Sequence, residues 1–279
     1  MLKRAITGTF YVAAIVGSVY VGGWLLQFLF GVLVVLMLQE YSKMFQKKES
    51  KPNAILTPIL GLILYSSAAY GIASGTHDIR SWMPLLAFSL ISFIWIALVE
   101  LFKKSSTQPF ANISLSFGGL CYIVLPLSLI IQMSHSDQEG VSHHIFPLLG
   151  IFIMIWCSDT FAYLIGKQIG KNKMFERISP NKTWEGFMGG MTFAILAGLV
   201  IAYFLDNQSY FSYALMGALC AIFGTLGDLI ESMLKRSLGL KDSGTILPGH
   251  GGLLDRLDSI LVVIPVIFVF QLLQSYYFA

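Results

Sequence analysis

The sequence predicts an all-α integral membrane protein with about nine transmembrane helices, a cytoplasmic N-terminus and an active site in the C-terminal helices at the cytoplasmic side. Of its 279 residues, 56% are hydrophobic and only 12% are charged, whereas soluble domains are about 25% charged. The mean hydropathy is +0.72. So little charge cannot cover a water-exposed surface, which excludes an ordinary soluble domain and a disordered chain. The net charge of +3 is too small to indicate a nucleic-acid partner.

Apolar stretches long enough to cross a bilayer, about 20 residues each, recur along the chain. The first follows Lys3 and Arg4 and resembles a signal peptide, but a second begins almost at once at Trp24, so an uncleaved first span is predicted. The predicted spans are Ala5–Val21, Trp24–Gln39, Ile55–Ser74, Trp82–Leu101, Ile113–Met133, Ile145–Gly166, Gly186–Leu205, Tyr213–Ile230 and Leu253–Leu273.

Cations in the loops predict the orientation, because positively charged loops stay in the cytoplasm. Lys and Arg precede the first span and follow the second, fourth, sixth and eighth, and only Arg80 falls in an alternate loop. With nine spans, the N-terminus is cytoplasmic and the C-terminus lies outside. We divide the chain into N-terminal helices (1–80), middle helices that could form a dimer contact (81–144) and a C-terminal catalytic region (145–279).

The acidic residues near the end of span eight follow helical spacing. Asp228, Glu231, Ser232 and Lys235 lie at i, i+3, i+4 and i+7, which places them on one face if the helix continues. Asp255 and Asp258 begin span nine, where a helix dipole favours anions. These two acids serve either that charge complementarity or, with Asp228, a carboxylate cluster for a divalent cation such as Mg²⁺.

Other polar residues of the C-terminal half suit phosphate binding. Gly251 and Gly252 leave backbone N–H groups accessible to phosphate, and His250 beside them is a phosphate donor or a turn residue. Ser179 before Pro180 predicts the N-cap and first residue of a short helix, which would point N–H groups and Lys182 at an anion or serve capping alone.

Asp159 lies about 12 Å inside span six, counted from Lys167 at 1.5 Å per residue. An acid at that depth is a functional candidate by default. A Tyr163 or lysine partner would instead make it structural.

These residues match the signature of the phosphatidate cytidylyltransferase family, also called CDP-diglyceride synthetases. The downstream signature reads Ser232-x-x-Lys235-Arg236, Lys241-Asp242-Ser243, Pro248-Gly249-His250-Gly251-Gly252 and Asp255-Arg256-x-Asp258. Upstream, the similar segments run from Asp159 to Lys171 and from Ser179 to Gly186. With the multi-span layout, the resemblance covers essentially the whole chain.

The resemblance implies transfer of a cytidylyl group from CTP to phosphatidate, giving CDP-diacylglycerol and pyrophosphate in phospholipid biosynthesis. It also implies a homodimer and, by default, the bacterial inner membrane. The phosphatidate phosphate is itself a nucleophile, so no Ser, Cys or His nucleophile is required. The enzyme must align two polyanions and neutralise their charge, which calls for Mg²⁺ or another divalent cation, with a second cation also conceivable. Phosphatidate would enter from the cytoplasmic leaflet and remain in contact with membrane lipid.

The hypothesis for the site assigns each group of residues a role. The metal ligands are Asp228, Asp255 and Asp258. The catalytic residues are Asp228, Lys235, Arg236, Asp255 and Arg256. The substrate-binding residues are Asp159, Lys167, Lys171, Ser179, Lys182, Thr183, Glu185, Ser232, Lys241, Asp242, His250, Gly251 and Gly252, among which Asp242 and Glu185 could instead orient the cations.

Two other functions are compatible with some of these features. A CTP-dependent polyprenol or phytol kinase would need similar cations and acids but would transfer the γ-phosphate. An ion-coupled transporter would use an intramembrane ion site, but transporters usually carry inverted repeats, and here the acids and cations are concentrated in one half of the chain.

Overall fold

The computed structural model describes residues 2–73, 83–104, 106–135, 141–205, 209–247 and 251–278. Helices dominate these residues. They are α1 Leu2–Val21, α2 Gly23–Met44, α3 Leu56–Ala73, α4 Met83–Phe102, α5 Pro109–Gly119, a π-helical turn Leu120–Val124, α6 Leu125–His135, α7 Val141–Ile169, α8 Trp184–Phe204, α9 Tyr210–Ser237 and α10 Leu254–Phe278.

Each predicted span overlaps a helical segment in the described part of the chain, the fifth covering α5, the π-helical turn and α6. Six segments there are long and apolar enough to cross a membrane, namely Gly23–Met44, Pro109–Ser134, Pro147–Ile169, Trp184–Phe204, Tyr210–Ser237 and Leu254–Gln274. Shorter apolar helices cover Thr7–Val21, Leu56–Tyr70 and Leu86–Phe102. The protein is therefore a multi-pass membrane protein, while the count of nine spans and their orientation stay predictions.

Large apolar side chains on the surface agree with a lipid environment. On α4, Phe93, Ile94 and Trp95 are each about half exposed in succession, at 46%, 55% and 54%. Contiguous apolar surface of this kind is rare on soluble monomers and marks contact with lipid or protein.

The chain divides into two compact units. The first contains Met1–Gln138 and Leu238–Arg256, and in it α3 packs against α2, α4 and α6. The second contains Glu139–Ser237 and Leu257–Ala279, and in it α7, α8 and α9 pack against one another. The three-part division suggested by the sequence stays a prediction.

Glycines bring the helix backbones of the second unit into direct contact. A Cβ on Gly190 of α8 would lie 2.6 Å from the carbonyl oxygen of Ser158 in α7. A Cβ on Gly227 of α9 would lie 2.7 Å from the carbonyl oxygen of Asp258 in α10. Small residues permit such close approach between membrane helices, so the helices that carry the acids have little freedom to shift.

The connection between α7 and α8 is a β-hairpin, which corrects the prediction of a helix beginning at Ser179. Strand β1, Lys173–Phe175, pairs antiparallel with β2, Ser179–Thr183. Pro180 is tolerated because both strands of a two-stranded sheet are edges. The helix begins later, where the Thr183 hydroxyl accepts a hydrogen bond from the Gly186 N–H at 3.2 Å and caps α8. The described part of the chain is thus helical with one small sheet.

Candidate active site

Three carboxylates converge in the second unit. Oxygen atoms of Asp228, Glu231 and Asp258 all lie within 4.8 Å of one another. Asp228 and Glu231 are neighbours on α9 because the helix continues to Ser237, as their spacing predicted. Asp258 comes from α10, whose backbone contacts α9 at Gly227. Glu231 is fully buried and Asp258 is 9% exposed.

Two lysines are paired with these carboxylates. The ammonium of Lys182, from β2, lies 2.6 Å from an oxygen of Asp228 and also donates to the Thr225 carbonyl at 3.4 Å. Lys235 forms an ion pair with Glu231 one turn earlier on α9. A buried carboxylate is costly unless a charge or hydrogen bond compensates it, and Lys235 provides that compensation for Glu231, whereas the Lys182–Asp228 pair is partly exposed.

Asp159 of α7 belongs electrostatically to the same group. Its charge interacts with those of Lys182 and Asp228, and the charge of Asp258 interacts with Asp159 in turn. We call Asp159, Asp228, Glu231 and Asp258 the acidic cluster. With Lys182 and Lys235, these six side chains carry a formal charge of −2.

The acidic cluster fits a hard divalent cation. Mg²⁺ and Ca²⁺ prefer carboxylate oxygens, and three such ligands converge at Asp228, Glu231 and Asp258. One divalent cation would also balance the formal charge of the six side chains. Glu231 was absent from the predicted metal ligands, although its spacing from Asp228 had placed it on the correct face.

Asp228 makes a further contact within α9. Its second carboxylate oxygen accepts a hydrogen bond from the Ser232 hydroxyl at 3.2 Å. Arg236, on the next turn, is exposed. Of the residues predicted for the site, the structure therefore brings together Asp159, Lys182, Asp228, Ser232, Lys235 and Asp258.

Lys167 and Lys171 lie where α7 meets the hairpin. The Lys167 ammonium sits 5.9 Å from the centre of the Tyr163 ring. Glu185, in the first turn of α8, accepts hydrogen bonds from the backbone N–H groups of Lys171 at 3.1 Å and Asn172 at 3.2 Å. Glu185 therefore holds the turn that presents Lys171, and its role in substrate binding stays a prediction, as does that of half-buried Ser179.

Asp255 lies in the first turn of α10 and in the first unit. One of its carboxylate oxygens accepts hydrogen bonds from the N–H groups of Ser243 at 3.0 Å and Gly252 at 2.8 Å. Gly251, with a φ of +87°, provides the left-handed backbone that this turn requires. The described contacts of Asp255 are thus with the loop backbone, and its role as a metal ligand stays a prediction.

Lys241, Asp242 and Arg256 are exposed in the same unit. The backbone carbonyl of Arg256 accepts a hydrogen bond from the Tyr11 hydroxyl at 3.3 Å. His250 lies outside the described residues.

Glu40 is a second residue that the sequence did not assign to the site. It lies near the end of α2, is 1% exposed and accepts hydrogen bonds from Ser243, Leu253 and Leu254 in the signature segment. Its partners lie more than 200 residues further along the chain, so no local spacing could have indicated them.

The fold and the site together define a multi-pass membrane protein with an acidic cluster whose Asp228, Glu231 and Asp258 carboxylates are close enough to hold a metal ion. The family model described as "Cytidylyltransferase family" matches residues 2–273. The chain belongs to this family, and is therefore a nucleotidyltransferase, as the resemblance in its sequence implied.

Curated relatives agree with this assignment. The chain is 31% identical over 277 residues to the phosphatidate cytidylyltransferase of Staphylococcus aureus strain COL, covering 99% of this chain and 100% of the relative. It is 36% identical over 193 residues to that of Staphylococcus saprophyticus, covering 68% and 72% of the two chains. It is 34% identical over 248 residues to that of Staphylococcus epidermidis, covering 88% and 89%.

Proposed function

We propose that the protein transfers the cytidylyl group of CTP to phosphatidate, producing CDP-diacylglycerol and pyrophosphate for phospholipid synthesis. The acidic cluster with its paired lysines, at the convergence of Asp228, Glu231 and Asp258, is the observation that supports this function most directly. The membership of the cytidylyltransferase family supports the reaction class.

The chemistry requires little from the protein beyond position and charge. An oxygen of the phosphatidate phosphate attacks the α-phosphorus of CTP, a new P–O bond forms, and the bond to the β-phosphate oxygen breaks to release pyrophosphate. A divalent cation would neutralise phosphate charge and align the two substrates. Lys182 and Lys235 would stabilise negative charge beside the reacting phosphates, because ammonium groups held in a partly dehydrated site act strongly on developing charge.

Asp228, Glu231 and Asp258 would hold that cation. Asp255 stays a candidate ligand on the first turn of the same helix that carries Asp258, and a second cation stays part of the proposal. The exposed cations Lys167, Lys171, Arg236, Lys241 and Arg256 would bind the triphosphate and the lipid phosphate, with His250, Gly251 and Gly252 contributing donors.

The membrane setting fits a lipid substrate. The acyl chains of phosphatidate can stay in the bilayer while its headgroup reaches the polar site, so lateral entry from the cytoplasmic leaflet avoids extraction into water. We also propose the bacterial inner membrane as the location and a homodimer as the assembly.

Product analysis tests the reaction. Purified protein is incubated with phosphatidate, Mg²⁺ and CTP labelled at either the α- or the γ-phosphate. Label from the α-position in lipid, with release of pyrophosphate, is the expected result. Label from the γ-position would instead establish a lipid kinase and overturn the proposal.

The metal role is tested with Asp228→Asn, which keeps the size of the side chain but removes its charge. Loss of a ligand should lower turnover by about 10²-fold or more at saturating Mg²⁺. Glu176→Gln is the matched control, because Glu176 is an exposed acid in the hairpin turn and should leave turnover unchanged. Near-normal turnover of Asp228→Asn would refute the role of Asp228.

A further inference from the structure

Glu40 is a buried carboxylate that lies outside the acidic cluster. It occupies the last two turns of α2 and is only 1% exposed, and the proposed reaction gives it no part in binding phosphate or metal. A buried carboxylate is costly unless hydrogen bonds compensate its lost hydration. Its contacts therefore indicate what it does.

All described hydrogen bonds of the Glu40 carboxylate go to one segment of the first unit. One oxygen accepts from the Ser243 hydroxyl and from the Leu254 N–H at 3.1 Å, and the other accepts from the Leu253 N–H at 2.8 Å. Leu254 is the first residue of α10. The first N–H groups of a helix have no partner inside the helix, and a negative charge is favourable there. Glu40 thus caps α10 from a different helix.

Two glycines of the segment, Gly244 and Gly252, leave the space that the Glu40 carboxylate occupies. A Cβ on Gly252 would collide with a Glu40 oxygen and the Ser243 hydroxyl, and a Cβ on Gly244 would lie 2.9 Å from the Glu40 side chain. The sequence had assigned Gly252 to phosphate approach alone. The structure shows a second reason for a glycine at this position, because the backbone at Gly252 passes so close to Glu40 that a side chain would collide with it.

The segment that Glu40 contacts, from Ser243 to Leu254, contains residues of the family signature such as Ser243 and Gly252. The N–H groups of Ser243 and Gly252 both donate to Asp255. The same two residues also adjoin Glu40, Ser243 through its hydroxyl and Gly252 through its lack of a side chain. Displacing Glu40 would therefore disturb Asp255 and the start of α10 together.

We infer that Glu40 is a positioning residue, which sets the signature loop and the first turn of α10 without touching substrate. The inference rests on the proposed function, because a shift of the signature loop is measured through the activity of that reaction. Residues that orient metal ligands typically change metal affinity or activity by about 10- to 100-fold when replaced.

Glu40→Gln tests the inference. One end of the amide would present N–H donors to groups that are themselves donors, so the three hydrogen bonds cannot all persist. We expect kcat to fall by about 10- to 100-fold, and the Mg²⁺ concentration for half-maximal activity to rise by about tenfold. Hydrogen exchange of a peptide covering residues 243–256, followed by mass spectrometry in detergent, should accelerate because either the Leu253 or the Leu254 amide proton loses its acceptor.

Glu100→Gln is the matched control. Glu100 is also a buried glutamate of the first unit, 3% exposed, and it accepts hydrogen bonds from Ser106 at 2.7 Å and Asn112 at 3.1 Å. Its replacement removes a comparable buried carboxylate away from the signature segment. It should lower thermal stability yet leave the Mg²⁺ dependence and the exchange of residues 243–256 as in the wild type.

The outcomes separate the inference from the function on which it rests. Wild-type protein that makes no CDP-diacylglycerol refutes the proposed function, while unchanged exchange of residues 243–256 in Glu40→Gln refutes the positioning role whether or not the protein is active. Faster exchange with normal kcat and Mg²⁺ dependence shows a purely structural role and also overturns the inference. If Glu40→Gln does not accumulate, Ser243→Ala removes one donor to the same carboxylate, and a wild-type Mg²⁺ dependence and exchange rate in that variant overturn it equally.

Discussion

Replacing Gly227 by Ala should separate α9 from α10 at the acidic cluster. The added Cβ would lie 2.7 Å from the Asp258 carbonyl oxygen and 2.9 Å from the Ser259 Cα, whereas ordinary contacts begin at 3.4 Å. The nearest backbone atom must therefore move by about 0.7 Å, the difference between 3.4 and 2.7 Å. Displacements of about 1 Å can lower enzyme activity by about 10²-fold.

The stability change is smaller because two effects oppose each other. Overpacking costs about 1–3 kcal/mol, while alanine favours a helix over glycine by about 1 kcal/mol. A net loss of about 1 kcal/mol is expected. The assays are kcat for CDP-diacylglycerol formation and the thermal midpoint of the purified protein in detergent.

Gly224→Ala is the matched control on the same helix. A Cβ there would lie 3.7 Å from atoms of Ser259 and Val263, which is ordinary contact. This variant should retain its activity and gain up to about 1 kcal/mol in stability from helix propensity. Equal activity of the two variants would refute the idea that backbone contact at Gly227 determines the geometry of the cluster.

Two further predictions concern the hairpin and the start of α8. Thr183→Val removes the hydroxyl that accepts from Gly186 N–H and should lower the free energy of unfolding by about 1 kcal/mol, measured by thermal denaturation in detergent. Glu185→Gln should weaken the acceptor for the N–H groups of Lys171 and Asn172, so the KM for CTP should rise severalfold while the thermal midpoint changes little.

Each of these two predictions has its own control. Thr192→Val removes a hydroxyl from the exposed side of α8, where it bonds only to the Met188 carbonyl in the described contacts, so its stability should change less than that of Thr183→Val. Glu176→Gln in the hairpin turn should leave the KM for CTP unchanged. A KM for Glu185→Gln equal to that of Glu176→Gln would contradict a role for the turn in binding CTP.

Features that depend on residues close together in sequence were predictable. The helical segments follow from runs of apolar residues, and the shared face of Asp228 and Ser232 follows from helical spacing, which their hydrogen bond confirms. Glu231 was recognisable by the same spacing. In the structure Glu231 also forms an ion pair with Lys235.

Features that depend on distant pairing were not predictable. Ser179 and Pro180 carry a helix-start pattern, but pairing with Lys173–Phe175 makes them a strand, and Thr183 supplies the cap instead. Glu40 offers only an acid at the end of an apolar helix, with partners such as Leu253 that lie 213 residues away. One sequence contains no signal that links such positions.

The order in which the chain is synthesised gives the Glu40 contacts a further consequence. The first unit contains residues 1–138 and 238–256, so it is completed only after residues 139–237, the larger part of the second unit, have been synthesised. During that interval the Glu40 carboxylate lacks the Ser243, Leu253 and Leu254 donors. A truncated chain ending before Ser243 would keep an uncompensated acid at the end of α2, and we expect such a fragment to be degraded faster than the complete protein. Biogenesis of the N-terminal helices is thus coupled to the synthesis of residues 243–254.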